Sequence, residues 1–245
     1  MYRTALMGWM AAIVLLGAAV LPARAEDNGV VKGKVIFKGD PDDAKFRRTV
    51  VDTSKDPNCK HKKKRIGSWS IILNKKTDPV TIQNVLVRVV EGLPDHKWPV
   101  PDEAVVLNQE GCEYEPHVLG IMEGQKLIVK NSDPTNHNIH FLPEANQQHN
   151  FTQPKEGMTQ ELTLTAEDPF KIKCDVHPWM GAYIGVFNHP FFAVTGDDGT
   201  FTITGLPPGK YVIRAWHEEF KTIDMTVEVA SGETKEADFT YEPGK

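Results

Sequence analysis

Cys174, His177 and Met180 occupy positions i, i+3 and i+6 of one short stretch, Lys173-Cys174-Asp175-Val176-His177-Pro178-Trp179-Met180. A thiolate, an imidazole and a thioether are soft or borderline ligands, and together on one loop they suit a transition metal. Two histidines and one cysteine in a trigonal set, with a weak axial thioether, describe a mononuclear copper centre. The second histidine has to come from elsewhere. Asn131–Phe141 offers His137, just past an expected strand at Lys126–Lys130. Zinc also accepts cysteine and histidine, but a weak thioether in the fourth position favours copper. Such a set has no readily open position for substrate, so it argues for electron transfer and against catalysis.

The flanks of these residues resemble a cupredoxin over roughly residues 105–190. Tyr114, Pro116, Leu119, Gly124, Val129, Asn131 and Asp133 follow the pattern of a cupredoxin strand entering its first ligand loop. His137-Asn138-Ile139-His140-Phe141 is similar to that loop itself. Cys-x-x-His-Pro-Trp-Met resembles the short ligand loop of the amicyanin type, with the plastocyanin type next. The resemblance implies one type 1 (blue) copper, bound by ring nitrogens of His137 and His177, the sulfur of Cys174 and the axial thioether of Met180. It also implies that Asn138 ties the two ligand loops together near the sulfur. Pro178 restricts the backbone of His177. In this family the second histidine edge emerges through an apolar patch, to which Pro178 and Trp179 would contribute. The implied partner is a redox protein such as a cytochrome or an oxidoreductase. His140, three residues beyond His137, is expected on the opposite face of a strand.

The elements that must position these residues read as all-β. Short β-branched or alternating runs recur between Gly, Pro, Asn and Asp clusters: Val31–Phe37, Val80–Val90, Lys126–Lys130, Phe170–Cys174, Tyr183–Phe187, Thr200–Thr204, Tyr211–Trp216 and Met225–Val229. Leu142–Met158, rich in Pro, Asn, Gln and His, is expected to be a long excursion between strands. The C-terminal Thr195, Asp198-Gly199, Phe201, Ile203, Leu206-Pro207-Pro208-Gly209 and Tyr211 resemble the carboxypeptidase-regulatory, or transthyretin-like, β-sandwich repeat. The opening strands of that repeat have counterparts far upstream, in Gly33–Gly39 and Asn84–Val87. About 55 C-terminal residues are few for a sandwich that must bury its own core. The expectation is therefore nested: 26–102 and 191–245 share one transthyretin-like sandwich, and a cupredoxin Greek-key sandwich at 103–190 is inserted in it. A tandem arrangement is the competing reading.

Residues 1–25 have the form of a cleaved signal peptide: Arg3, an uncharged apolar run from Met7 to Leu21, then Ala23-Arg24-Ala25. The run is too short for a good membrane span, so the mature chain is expected to carry none and to reside in the periplasm or outside the cell. Removing two arginines and no acid takes the formal charge from −5 to −7, which argues against a nucleic-acid partner. Three cysteines in an oxidising compartment leave one unpaired. Cys174 lies among ligand types, so Cys59 and Cys112 pair by elimination; two buried thiols are the alternative. The basic run Lys60–Arg65 is expected to be a solvated surface segment. A copper-storage or delivery protein would show further Met/His clusters, and multicopper enzymes need His-x-His pairs that do not occur. A non-redox β-sandwich binding module is the remaining alternative.

Overall fold

The computed structural model describes residues 27–46, 50–54, 56–60 and 70–243. The expected leader at 1–25 and the basic run beyond Lys60 lie outside them. Among the described residues the regular secondary structure is almost entirely strand. In order these are β1 (Gly29–Phe37), β2 (Leu73–Asn74), β3 (Thr81–Ile82), β4 (Leu86–Glu91), β5 (Val105–Glu110), β6 (Glu113–Glu115), β7 (Val118–Met122), β8 (Leu127–Asn131), β9 (His137–Leu142) and β10 (Asn150–Gln153). They continue with β11 (Thr159–Leu162), β12 (Glu167–Lys173), β13 (Gly181–Phe187), β14 (Phe192–Val194), β15 (Thr200–Leu206), β16 (Gly209–His217), β17 (Lys221–Val229), β18 (Thr234–Glu236) and β19 (Phe239–Tyr241). A 3-10 turn (Ala44–Phe46) and one α-helical turn, α1 (Pro57–Lys60), precede β2.

The strands form four sheets that separate by position in the chain. β15-β1-β3-β2, with β18 and β19 alongside β1, faces β14-β4-β16-β17; β10-β9-β12-β13-β7 faces β11-β8-β5-β6. The first pair uses strands from both ends of the chain and the second uses those between. Alternation drives each layer. In β16, Tyr211, Ile213, Ala215 and His217 point inward and their neighbours are less buried. They meet Val31, Val35, Phe201 and Ile203 in one core. The second core gathers Leu107, Ile121, Val129, Ile139, Phe141, Ile172 and Ile184 with Cys174 and Met180. A smaller cluster of Leu86, Val118 and Phe187, backed by Tyr183, Phe192 and Trp216, joins the two sandwiches. There Gly120 lets the Phe192 ring approach, since a Cβ would lie 2.6 Å from it.

Two expected elements differ in the structure. Val80–Val90 is not one strand: β3 belongs to one sheet and β4 to the opposite one. Asn84 takes φ +63° between them, a left-handed kink that asparagine tolerates better than most residues. Leu142–Met158 is not a simple loop, because β10 within it pairs antiparallel with β9. β10 is an edge strand exposed at Asn150 and Thr152, and its mostly polar residues conceal a strand from hydropathy. The turn before β15 has Gly199 at φ +70°, where a Cβ would lie 2.3 Å from that of Thr81. Asp198 closes it by accepting the Thr200 amide N–H at 2.9 Å. Tyr211 donates its hydroxyl to the Pro207 carbonyl at 2.6 Å, pinning the second turn to β16.

Candidate metal centre

His137 opens β9, and Cys174 directly follows β12, the strand that pairs with β9. The turn between β12 and β13 carries His177 and Met180. It closes on itself through Met180 N–H to the His177 carbonyl (2.9 Å) and Cys174 N–H to the Met180 carbonyl (3.2 Å). Pairing of β9, β12 and β13 thus converts a 37-residue separation between His137 and Cys174 into proximity. One donor atom from each of His137, Cys174 and His177 lies within 4.8 Å of the others. The two Nδ1 atoms are 3.0 Å apart and Cys174 Sγ is 3.8 Å from His177 Nδ1. All three side chains are buried, as is Met180, which packs in the same core as Cys174.

Asn138 connects both loops. Its backbone N–H points at Cys174 Sγ (3.4 Å), its Oδ1 accepts the Asp175 N–H (3.0 Å), and its Nδ2 donates to the Phe151 carbonyl (3.1 Å). The His177 N–H also points at the sulfur, at 3.3 Å. Burial by itself raises the Cys174 thiol pKa. The hydrogen bonds from His177 and from the amides of Asn138, His177 and Val176 outweigh it, and the net direction is down. That direction favours the thiolate, the form that binds metal.

The opposite edges of the rings meet carboxylates that the sequence reading did not single out. His137 Nε2 lies 3.0 Å from Asp133 Oδ2, and His177 Nε2 lies 2.9 Å from Asp56 Oδ2. Burial raises the Asp56 pKa, but His177, the Asn58 amide and the Thr135 hydroxyl together lower it. An ionised Asp56 only accepts, which places a proton of His177 on Nε2. Held this way, the rings turn their Nδ1 atoms toward one another, 3.0 Å apart. With the adjacent Cys174 sulfur, the two ring nitrogens make a donor set that fits copper.

Cys59 and Cys112 are joined in a disulfide, and Cys59 Sγ approaches His177 Nε2 at 3.9 Å. Tyr114, noted in the sequence only as part of the flanking pattern, donates its hydroxyl to the carbonyls of Asn138 and Lys173 and so bridges β9 to the end of β12. Burial, then the neighbouring Cys174 and Asp175, push its phenol upward. Nothing local in the sequence marks these partners: Asp56 and His177 are 121 residues apart. The signal available in the sequence was the place of Tyr114 and Asp133 in the pattern that flanks His137.

One expectation is corrected. The His177 edge does not emerge at the surface: the ring is 2% exposed and covered by Asp56 and Cys59. The segment that covers it lies between β1 and β2, outside the stretch that resembles a cupredoxin. Trp179 is half-buried, with its ring 5.1 Å from that of His177 and its Nε1–H donated to the Cys112 carbonyl (3.0 Å). Solvent reaches the loop along a cleft of about 590 Å³, lined in part by Pro178, Trp179, Met180, Lys173 and Glu218. His140 stays apart from the centre and bonds Asp175 Oδ2 at 2.8 Å.

Comparison with known proteins gives two kinds of likeness. The carboxypeptidase regulatory-like domain matches residues 177–242, from the end of the candidate ligand loop through β19. Among solved structures, an amicyanin variant in its Cu(I) form is 25% identical, covering 36% of this chain and 85% of its own, at a TM-score of 0.31. A reduced Cu(I) amicyanin variant at pH 4 is 24% identical, covering 39% and 97%, at 0.31. A copper-containing nitrite reductase from Thermus scotoductus SA-01 is 20% identical over 40% of this chain and 25% of that enzyme, also at 0.31. No curated protein matches the chain. At such TM-scores these neighbours carry no argument, and the chemistry rests on the side chains. No helix among the described residues is long and apolar enough to cross a membrane.

Proposed function

We propose that this protein is an exported one-electron carrier with a single type 1 copper held by His137, Cys174, His177 and Met180. We further propose a cupredoxin unit at 103–190 inserted into a transthyretin-like sandwich formed by 26–102 and 191–245. The observation that carries the reading is the convergence of two inward-facing Nδ1 atoms and a buried Cys174 sulfur on one point. Copper, when bound, supplies a one-electron couple. The chain supplies a rigid frame: strand pairing sets His137 and Cys174, the closed turn sets His177 and Met180, and Asn138 locks the two loops. A frame that does not rearrange keeps the reorganisation accompanying electron transfer small. Because His177 is covered, the ring of Trp179 is the aromatic group that links it to the cleft, where a redox protein partner would approach.

The test is a visible absorption spectrum of the purified protein after loading with Cu(II), beside Cys174→Ala. An intense thiolate-to-copper band that vanishes in the variant supports the carrier. A protein that takes up no copper sinks it. The match to the carboxypeptidase regulatory-like domain then favours a second reading, an exported β-sandwich binding module. Copper bound tightly without the band points instead to copper handling.

A further inference from the structure

The two halves of the disulfide each sit beside one of the carboxylates that hold the histidines. Asp133 Oδ2 lies 3.0 Å from His137 Nε2 and accepts the Cys112 N–H (2.8 Å), while Oδ1 accepts the Gly111 N–H (2.9 Å). Asp56 Oδ2 accepts the His177 Nε2–H (2.9 Å) and the Thr135 hydroxyl (3.0 Å), and the Asp56 carbonyl accepts the Cys59 N–H (3.1 Å). Cys59, Asp56 and His177 therefore form one close group, and Cys112, Asp133 and His137 another. The disulfide joins the two groups.

We propose that Asp56 and Asp133 are positioning residues for the copper site, and that Cys59–Cys112 is the tether that brings Asp56 onto His177. The inference rests on the copper reading for its consequence, though not for its geometry. Both carboxylates act through the rings. By taking the Nε2 protons they leave Nδ1 of each ring free as a ligand and fix the ring planes. Their origins differ. Asp133 belongs to the turn between β8 and β9 and is held by amides of the neighbouring turn. Asp56 comes from the segment between β1 and β2, is followed at once by the single turn α1, and gains its covalent hold on the metal-bearing sheets from Cys59 alone. Cutting the disulfide should thus release His177 and leave His137 held. A negative charge beside a ligand ring also favours the more positive metal state, so Asp56 lowers the reduction potential.

The first measurement needs no copper. Nitrogen-15 NMR of the metal-free protein reads which ring nitrogen of each histidine bears the proton. Nε2–H on both His137 and His177 is expected, with the His177 signal alone altered in Asp56→Ala and in the Cys59→Ala/Cys112→Ala double variant. Nδ1–H on either ring in the parent protein overturns the assignment of the carboxylates. The second measurement uses Cu(II) itself, by competition titration and voltammetry. Asp56→Ala should bind Cu(II) about 10–100-fold more weakly, the usual cost of losing such an outer partner, with a raised potential. Asp56→Asn, which keeps an acceptor oxygen, the disulfide and the packing, should recover most of the affinity but keep the raised potential. Joining Asp56→Ala to the disulfide variant should add little to either change, because both remove the same contact. Unchanged affinity and potential in Asp56→Ala overturn the proposal even if the disulfide variant fails to fold. Failure of the copper reading appears separately, as a parent protein that takes up no copper while the NMR result stands.

Discussion

The buried histidines of the two sandwiches meet desolvation in opposite ways. In the sandwich of β5 to β13, His137 and His177 each have a carboxylate at Nε2 and turn Nδ1 toward the other ring. In the sandwich built from the chain ends, Nδ1 is already occupied. His189 Nδ1 accepts the Phe191 N–H (3.1 Å) and its Nε2–H goes to the Val89 carbonyl (3.0 Å). His217 Nδ1 accepts the N–H groups of Glu219 and Phe220, and its ring stacks on Phe220. Burial depresses both of these histidines to a pKa of about 4, whereas His177 is raised: burial lowers it, but Cys174 and Asp56 more than compensate. The same residue type is a wedge in a backbone turn in one place and a prepared ligand in the other. What separates them is whether backbone amides or an acidic side chain claims the first ring nitrogen.

The largest test of this contrast is Cys174→Ala, which should abolish the charge-transfer band of the copper-loaded protein while leaving its circular dichroism intact. His217→Asn in the other sandwich should leave the band untouched. Next comes Asp133→Ala, which deprives the His137 ring and two buried amides of their acceptor. Chemical unfolding should show a loss of about 3 kcal/mol, given about 1–3 kcal/mol for an orphaned buried donor. A loss under half of that would mean that water replaces the carboxylate.

Acidification sharpens the comparison from the other side. His189 and His217 have folded pKa values of about 4, below the ordinary value of 6.5. The unfolded chain therefore binds more protons between these values, and stability rises with pH across that window. The contribution is fully present above pH 6.5 and is lost as pH falls toward 4. Each histidine should cost about 2 kcal/mol between about pH 7.5 and pH 5, from roughly 1.4 kcal/mol per unit of differential titration. Urea melts at the two pH values measure it. His217→Asn, which offers an acceptor oxygen where Nδ1 sits but does not titrate, should flatten the slope by about half. An unchanged slope would place the pH dependence elsewhere.

Gly199→Ala, in the turn shared by β15 and β3, should destabilise by about 2 kcal/mol, since a non-glycine residue at positive φ costs about 1–3 kcal/mol. It should not alter copper binding, because the turn belongs to the sandwich away from the centre. The smallest effect is expected at the exposed Lys32–Glu236 pair on β1 and β18, 3.6 Å apart. Glu236→Gln should change the melting free energy by less than about 0.5 kcal/mol, as exposed ion pairs do.

Much of the fold was legible because it is written locally. Period-two alternation in β1, β15 and β16, with Gly and Pro at the turns, marks strands without reference to the rest of the chain. The break between β3 and β4 was not legible: Val80–Val90 is apolar on both sides of Asn84, and only packing against two facing sheets sends the halves to different layers. β10 was hidden for the converse reason, since an edge strand open to solvent needs no apolar pattern. Within the site, Cys174, His177 and Met180 could be found from their spacing, and His137 and Asn138 from their flanks. Asp56 could not, nor could the roles of Asp133 and Tyr114, because an acid or a tyrosine acquires its meaning from what it touches.

The sequence by itself determined the β character of the chain, the donor types available to a metal and the thiol left over when two cysteines pair. These follow from chemistry and spacing within a few residues. Tertiary structure alone decided that the disulfide lies against the two histidines, that Asp56 covers the edge of His177, and that Trp179 stands between that ring and the cleft. Each depends on bringing together segments more than 50 residues apart. Such contacts form only when sheet pairing and core burial offset the entropy of closing the intervening loops, and no local pattern records that balance.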